Sequence, residues 1–161
     1  MYVQVQALFA RDRPRIARHG RSMDFETITA EDFGASRRGL GLNLLVRDVL
    51  VECAFLETVF ELDCHRKSAD FAIVTYGTQV FQLHSDGTYH SNPLLGLLPE
   101  TPPRGAGIEI RLYDTDPDAA VARATAADAM ILQPATDKPH GLREAYILCE
   151  NGYAWVPSRP L

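Results

Sequence analysis

The chain has 161 residues, 46% of them hydrophobic, and sets 21 acidic side chains against 16 Lys and Arg for a formal charge of −5. That length suits one compact domain with a real core, an acid excess is the wrong sign for a general nucleic-acid surface, and no run approaches the roughly 18 apolar residues of a membrane helix. Cys53, Cys64 and Cys149 are odd in number and widely spaced, which defines neither a disulfide framework nor a metal knuckle and makes a reducing, cytoplasmic setting the default.

Up to Arg21, five arginines face a single acid, Asp12, so this segment carries +4 and the remainder of the chain −9. Residues 1–22 read as a basic, disordered leader, because their apolar run from Val5 to Ala10 is too short for a secretion signal. Residues 23–38 are polar with short apolar punctuation and hold a capped turn at Thr29-Ala30-Glu31-Asp32. They are expected to form an arm against the module that follows.

That module opens on a stretch that occurs twice. Residues 38–48 and 104–114 share an Arg-Gly-x-Gly opening, alternating apolar residues and a closing Asp, at a constant offset of 66. A repeated unit of this kind implies two similar halves. In the first copy Leu42, Leu44 and Val46 alternate as a strand does. Asp48 then caps a helix over Val49 to Glu61, with Val51, Ala54, Phe55, Val59 and Leu62 as its buried stripe. Strands are expected near 64–67, 71–76 and 79–84, the last placing Gln82 and His84 opposite Phe81 and Leu83. The glycines and prolines between Ser85 and Pro103 mark a linker.

The second copy sets Ile108, Ile110 and Leu112 on one face and Glu109, Arg111 and Tyr113 on the other. Asp116-Pro117 starts an alanine-rich helix to Ala129. A short strand at 130–133, a loop at 134–142 and a strand at 143–149 follow, and Asn151-Gly152 predicts a type I′ hairpin to a last strand at 153–157. Each half is thus a strand, a helix and about three strands, with function expected on the face that the helix leaves free.

Four sets of residues in this order resemble the vicinal oxygen chelate superfamily of glyoxalases, bleomycin-resistance proteins and extradiol dioxygenases. They are Val46-Arg47-Asp48 with Phe55, Asp116 with Arg123, Phe81-Gln82-Leu83, and Gly141-Leu142-Arg143-Glu144 with Glu150-Asn151-Gly152-Tyr153-Ala154-Trp155. The resemblance implies an α+β fold: two βαβββ modules, about 39–92 and 104–157, forming a cupped mixed β-sheet with helices on the outer face. Both modules would lie in one domain at 39–161, and the chain would form a homodimer.

Metal enzymes of that superfamily carry four ligands. Counting back seven from each helix cap places two on Gly41 and Glu109, and the others correspond to Gln82 and Val156. Glycine and valine have no donor atom, so the full set is absent. The repeat register pairs Asn43 with Glu109 instead, which leaves Asn43, Gln82, His84 and Glu109 as a makeshift set, weak because amides bind metals poorly.

The expected activity is therefore binding of a small organic molecule in the cup, with no cofactor, by Asn43, Gln82, His84 and Arg111. Arg111 suits an anionic group, and Glu109 is the catalytic candidate if a reaction occurs. The alternative is a divalent-metal lyase, isomerase or dioxygenase with Gln82, His84 and Glu109 as ligands. Glu109 also has a plain structural reading as an ion pair with Arg111. Trp155 is expected in the core, His140 in a turn, and Cys149 as a small buried hydrophobe. Neither nucleic acid nor membrane is an expected partner.

Overall fold

The computed structural model describes residues 23–89 and 93–161, so the basic leader expected at 1–22 lies outside the described residues. A short helix comes first, α1 (Ala30–Ser36), with Thr29 as its cap: the Thr29 hydroxyl accepts from the Asp32 N–H at 3.0 Å. The first module follows as β1 (Asn43–Val46), α2 (Val49–Phe60), β2 (Asp63–His65), β3 (Phe71–Tyr76) and β4 (Gln79–Ser85). Two 3₁₀ turns, Asp86–Tyr89 and Pro93–Leu97, lead to the second module: β5 (Glu109–Tyr113), α3 (Pro117–Ala126), β6 (Met130–Asp137), β7 (Leu142–Leu148) and β8 (Ala154–Pro160).

The strands form two four-stranded sheets of the same design, β1-β4-β3-β2 and β5-β8-β7-β6. In each, the opening strand runs parallel to the last, and the other pairs are antiparallel. The chain is thus α+β, two βαβββ modules whose helices cover one face of the sheet and leave the cup face free. Among the described residues no helix is long and apolar enough to cross a membrane.

Both helices start where an aspartate can satisfy free backbone N–H groups. Asp48 accepts from the N–H groups of Leu50 and Val51, and Asp116 from those of Asp118 and Ala119, with Pro117 in the first turn. These caps lie 68 residues apart, 48 to 116, whereas the strands repeat at 66: buried Leu44 and Val46 match Ile110 and Leu112 on the core face. The two extra residues sit at Asp114, which takes a left-handed turn (φ 63), and Thr115. Asn43 therefore matches Glu109 on the strands, and counting back from the second cap does not reach a strand equivalent of Gly41.

The helix-bearing faces of the two sheets meet in one core. Trp155 of β8 is fully buried, as expected, with the rings of Phe60 and Phe81 from the first module each 5.8 Å from it. Arg123 of α3 donates to the Val59 carbonyl of α2 at 2.8 Å. The two cup faces consequently look away from the shared core.

Polar fasteners accompany this packing. Asn151 accepts from the Arg47 N–H at 3.0 Å and donates to Glu52 at 2.9 Å, and the Tyr153 hydroxyl donates to the Leu45 carbonyl at 2.9 Å. Arg104 forks onto both carboxylate oxygens of Asp86 at 2.6 and 2.7 Å, the bidentate geometry suited to a guanidinium.

Three local expectations are corrected. The buried face of α2 is Val49, Glu52, Cys53, Leu56, Val59 and Phe60, while Val51 and Ala54 of the predicted stripe are exposed and Phe55 is half-buried. The helix is apolar nearly all round, so periodicity cannot select its inner face. β6 extends through Pro134 to Asp137, which an edge strand with irregular register tolerates because a proline there removes no needed donor. The Asn151-Gly152 hairpin is not type I′. Only Gly152 has positive φ (78), and its N–H bonds to the Cys149 carbonyl at 2.9 Å, so a type I turn ends in a left-handed glycine. A side chain at Gly152 would also collide with Pro103, whose Cα lies 2.4 Å from where a Cβ would stand.

Candidate functional site on the cup faces

Alternation decides which side chains reach the cup. In β4, Phe81 and Leu83 enter the core, which turns Gln82 and His84 to the cup; in β1, Leu44 and Val46 enter the core, which turns Asn43 and Leu45 outward. Asn43 and Gln82 are register partners, and the Gln82 amide donates to the Asn43 side-chain oxygen at 2.8 Å. His84 is buried further along the same face, its ring 5.0 Å from that of Phe71, and burial pushes its pKa down towards the neutral form.

The arm from residue 23 to 38 lies over this face. Phe25 packs against Phe33 and against His65, whose other ring nitrogen is 3.1 Å from the Thr75 hydroxyl. Glu26 accepts from the Arg66 N–H at 3.0 Å and pairs with His65 at 3.2 Å. What the arm leaves open is a cavity of about 720 Å³ bordered by Phe33, Arg37, Arg38, Asn43 and Gln82. Arg37 stands 4.7 Å over the Phe33 ring and bonds Ser36; Arg38 reaches the carbonyls of Ala35 and Arg37. The sequence reading missed Phe33, Arg37 and Arg38 as cavity residues, because an arm folding back across a cup leaves no periodic signal.

The second cup face carries charge. Glu109 accepts from Arg111 at 2.9 Å and from the Tyr146 hydroxyl at 3.1 Å, so its ion-pair reading is observed. The other arm of the Arg111 guanidinium binds Glu144, which is almost wholly buried and has His140 3.6 Å away. Burial opposes the charge on Arg111, but its hydrogen bonds to Glu144 and Glu109 outweigh it and raise its pKa above the ordinary arginine value. Burial and the Glu109 bond also raise the pKa of the Tyr146 phenol.

The five predicted residues thus fall into two groups. Asn43, Gln82 and His84 stand on the first sheet and Glu109 and Arg111 on the second, on cup faces that look away from the shared core. This set does not fit a divalent ion. Asn43 and Gln82 are neutral amides, which bind metals poorly, and Glu109 is already neutralised by a guanidinium that would repel a cation. Among the described residues no group of three or more His, Cys, Asp and Glu side chains is placed to hold a metal. Cys149 is buried, as expected, and burial pushes its thiol up to about 12.

Compared by sequence, the chain matches no family model and no curated protein. Compared by structure, it is similar to a glyoxalase/bleomycin resistance protein/dioxygenase family enzyme from Burkholderia phytofirmans PsJN, with a TM-score of 0.63 at 19% identity, covering 75% of this chain and 97% of that one. The fold is the glyoxalase/bleomycin-resistance fold. A glyoxalase/bleomycin resistance protein/dioxygenase from Nocardioides superposes with a TM-score of 0.59 at 19% identity, covering 81% of this chain and 89% of that one. A glyoxalase-related enzyme from Fulvimarina pelagi gives 0.60 at 14% identity, covering 76% and 88%. In the glyoxalase fold the cup faces are the surfaces described above, and the arm at 23–38 precedes the duplicated part.

Proposed function

We propose that this glyoxalase-fold chain binds a small organic molecule in the cup of its first sheet, without a metal. The observation that carries the reading is the cavity of about 720 Å³ against the Asn43–Gln82 pair, which lies within the range of about 300–1,000 Å³ for small-molecule sites. The amides supply directional hydrogen bonds and Phe33 an apolar wall. Arg37 and Arg38 favour a ligand with a carboxylate, phosphate or phenolate group. His84 would shape the deeper part of the same face.

Glu109 and Arg111 enter this reading through a second copy. Because the two cups of one chain look away from each other, a homodimer that faces the second cup of one copy with the first cup of its partner would bring the acidic Glu109 and Glu144 towards Arg37 and Arg38. The metal-dependent lyase, isomerase or dioxygenase is less favoured, since Arg111 occupies the ground a cation would need.

A thermal-shift screen of aromatic carboxylates and phenols, run with and without a chelator, tests the proposal. Stabilisation that is unchanged by chelation and lost in Gln82→Ala is the expected result. Stabilisation that vanishes on chelation would sink it. Light scattering on the same samples reads the dimer.

A further inference from the structure

Away from the cups, a groove of about 770 Å³ runs between α2 and the second module. Val51, Ala54 and Phe55 line one side, and Ala129, Met130 and Leu148 the other. These include the α2 residues whose spacing marks them for burial, yet Val51 is 46% and Met130 63% exposed. An apolar molecule lying between them would remove that surface from water, at about 25 cal/mol per Å².

The groove also borders Glu52, which is 1% exposed. One carboxyl oxygen, Oε2, accepts from Asn151 Nδ2 at 2.9 Å, whereas Oε1 has no well-formed hydrogen bond among the described residues. Buried polar atoms are normally satisfied, and leaving one unpaired is costly. The fold does not demand this cost. Aligning the caps Asp48 and Asp116 matches Glu52 with Ala120, which is equally buried, so the duplicate shows alanine filling the same place. The bond to Asn151 uses a single acceptor oxygen, which glutamine would provide as well. The second oxygen is left over, beside an apolar groove.

We propose that this groove is a second ligand site, separate from the cup, for an uncharged and mainly apolar molecule that sets a hydrogen-bond acceptor, such as a ketone oxygen or ring nitrogen, against the Glu52 Oε1 hydroxyl. Burial pushes the Glu52 pKa up, outweighing the Asn151, Cys149 and Trp155 contacts that favour the ionised form. Among the described residues the titratable groups that interact with it are the Cys53 and Cys149 thiols, the Glu150 side chain and the Tyr153 phenol, and none of these brings a positive charge that would hold Glu52 ionised. In the acid form the carbonyl oxygen takes the Asn151 N–H and the hydroxyl points its proton at the ligand.

The test is an NMR titration of the full chain with acetophenone and with ethylbenzene, which has nearly the same shape but no acceptor. Acetophenone is expected to bind about fivefold more tightly, the worth of one hydrogen bond. It should shift the amides of Ala54, Phe55, Ala129 and Leu148 and leave those of Asn43 and Gln82 in place. Glu52→Ala, which copies the duplicate, should erase the preference. Glu52→Gln should keep it, because the amide still donates, while losing the weakening that wild type shows at high pH. Ala54→Trp, at an exposed position, should block both probes. Equal binding of the two probes, a preference that survives Glu52→Ala, stronger binding of benzylammonium, or shifts confined to the cup would each overturn the proposal.

Discussion

The two cup faces stand on sheets of the same strand order, yet they are finished in opposite ways. On the first, a neutral amide pair meets an arm that brings phenylalanine and arginine across the sheet. On the second, a guanidinium is locked between Glu109 and the buried Glu144, with the Tyr146 hydroxyl closing the set. Duplication copied the scaffold and left each face to be filled separately. The polar groups of the second face are committed to one another, so disturbing them costs stability. The Asn43–Gln82 pair of the first is joined by a single hydrogen bond beside an open cavity, so its other amide groups can turn to a ligand.

The largest expected effect tests what the two modules share. Trp155→Ala removes a fully buried side chain of the second module touched by two rings of the first, Phe60 and Phe81, and is expected to cost about 3–5 kcal/mol. Because one core serves both sheets, denaturant unfolding followed by fluorescence and by circular dichroism should still coincide in the variant. Two separate transitions would show that each module has its own core.

Next comes the contrast between the faces themselves. Arg111→Ala strands the Glu144 carboxylate, 2% exposed, with His140 as its remaining ion-pair neighbour among the described residues. A cost of about 3 kcal/mol is expected, at the low end for a broken buried pair because water reaches the arginine. Asn43→Ala with Gln82→Ala should cost under about 1 kcal/mol, since the pair is partly exposed and loses both partners together. Chemical-denaturation midpoints of the two variants decide it. Equal losses would mean that the first face is as structural as the second.

How much of this was legible in the sequence follows from what each signal depends on. The strands, both helix caps and the duplication are local patterns, and Asp48 and Asp116 act as their spacing predicts. The Glu109–Arg111 pair was visible as two residues on one strand face. Glu144, although in the closing motif, was not assigned to Arg111, because that contact spans 33 residues and two strands. The inner face of α2 was unreadable for a different reason: a helix apolar all round has no periodic minimum, and the buried Glu52 looks in sequence like an ordinary surface acid. The path of the arm over the first cup is a tertiary choice that no spacing records.

The smallest effect concerns that buried acid and its alanine counterpart in the other helix. Burial raises the folded-state pKa of Glu52 above its ordinary value of 4.5, so the folded chain holds a proton that the unfolded chain releases. The contribution of the group is therefore complete below that ordinary value and is lost as pH rises through the folded-state pKa. Stability of wild type relative to Glu52→Gln should fall as pH is raised from about 4 towards neutrality, and then level off once the folded group ionises. Both proteins keep an acceptor for Asn151 Nδ2, so the slope isolates the proton from the strut. Parallel urea series at stepped pH values measure it. A flat difference would mean that folding leaves the Glu52 pKa at its ordinary value; a rising one would mean that the folded protein binds the carboxylate more tightly than the acid, its charge held by the Asn151 and Trp155 donors.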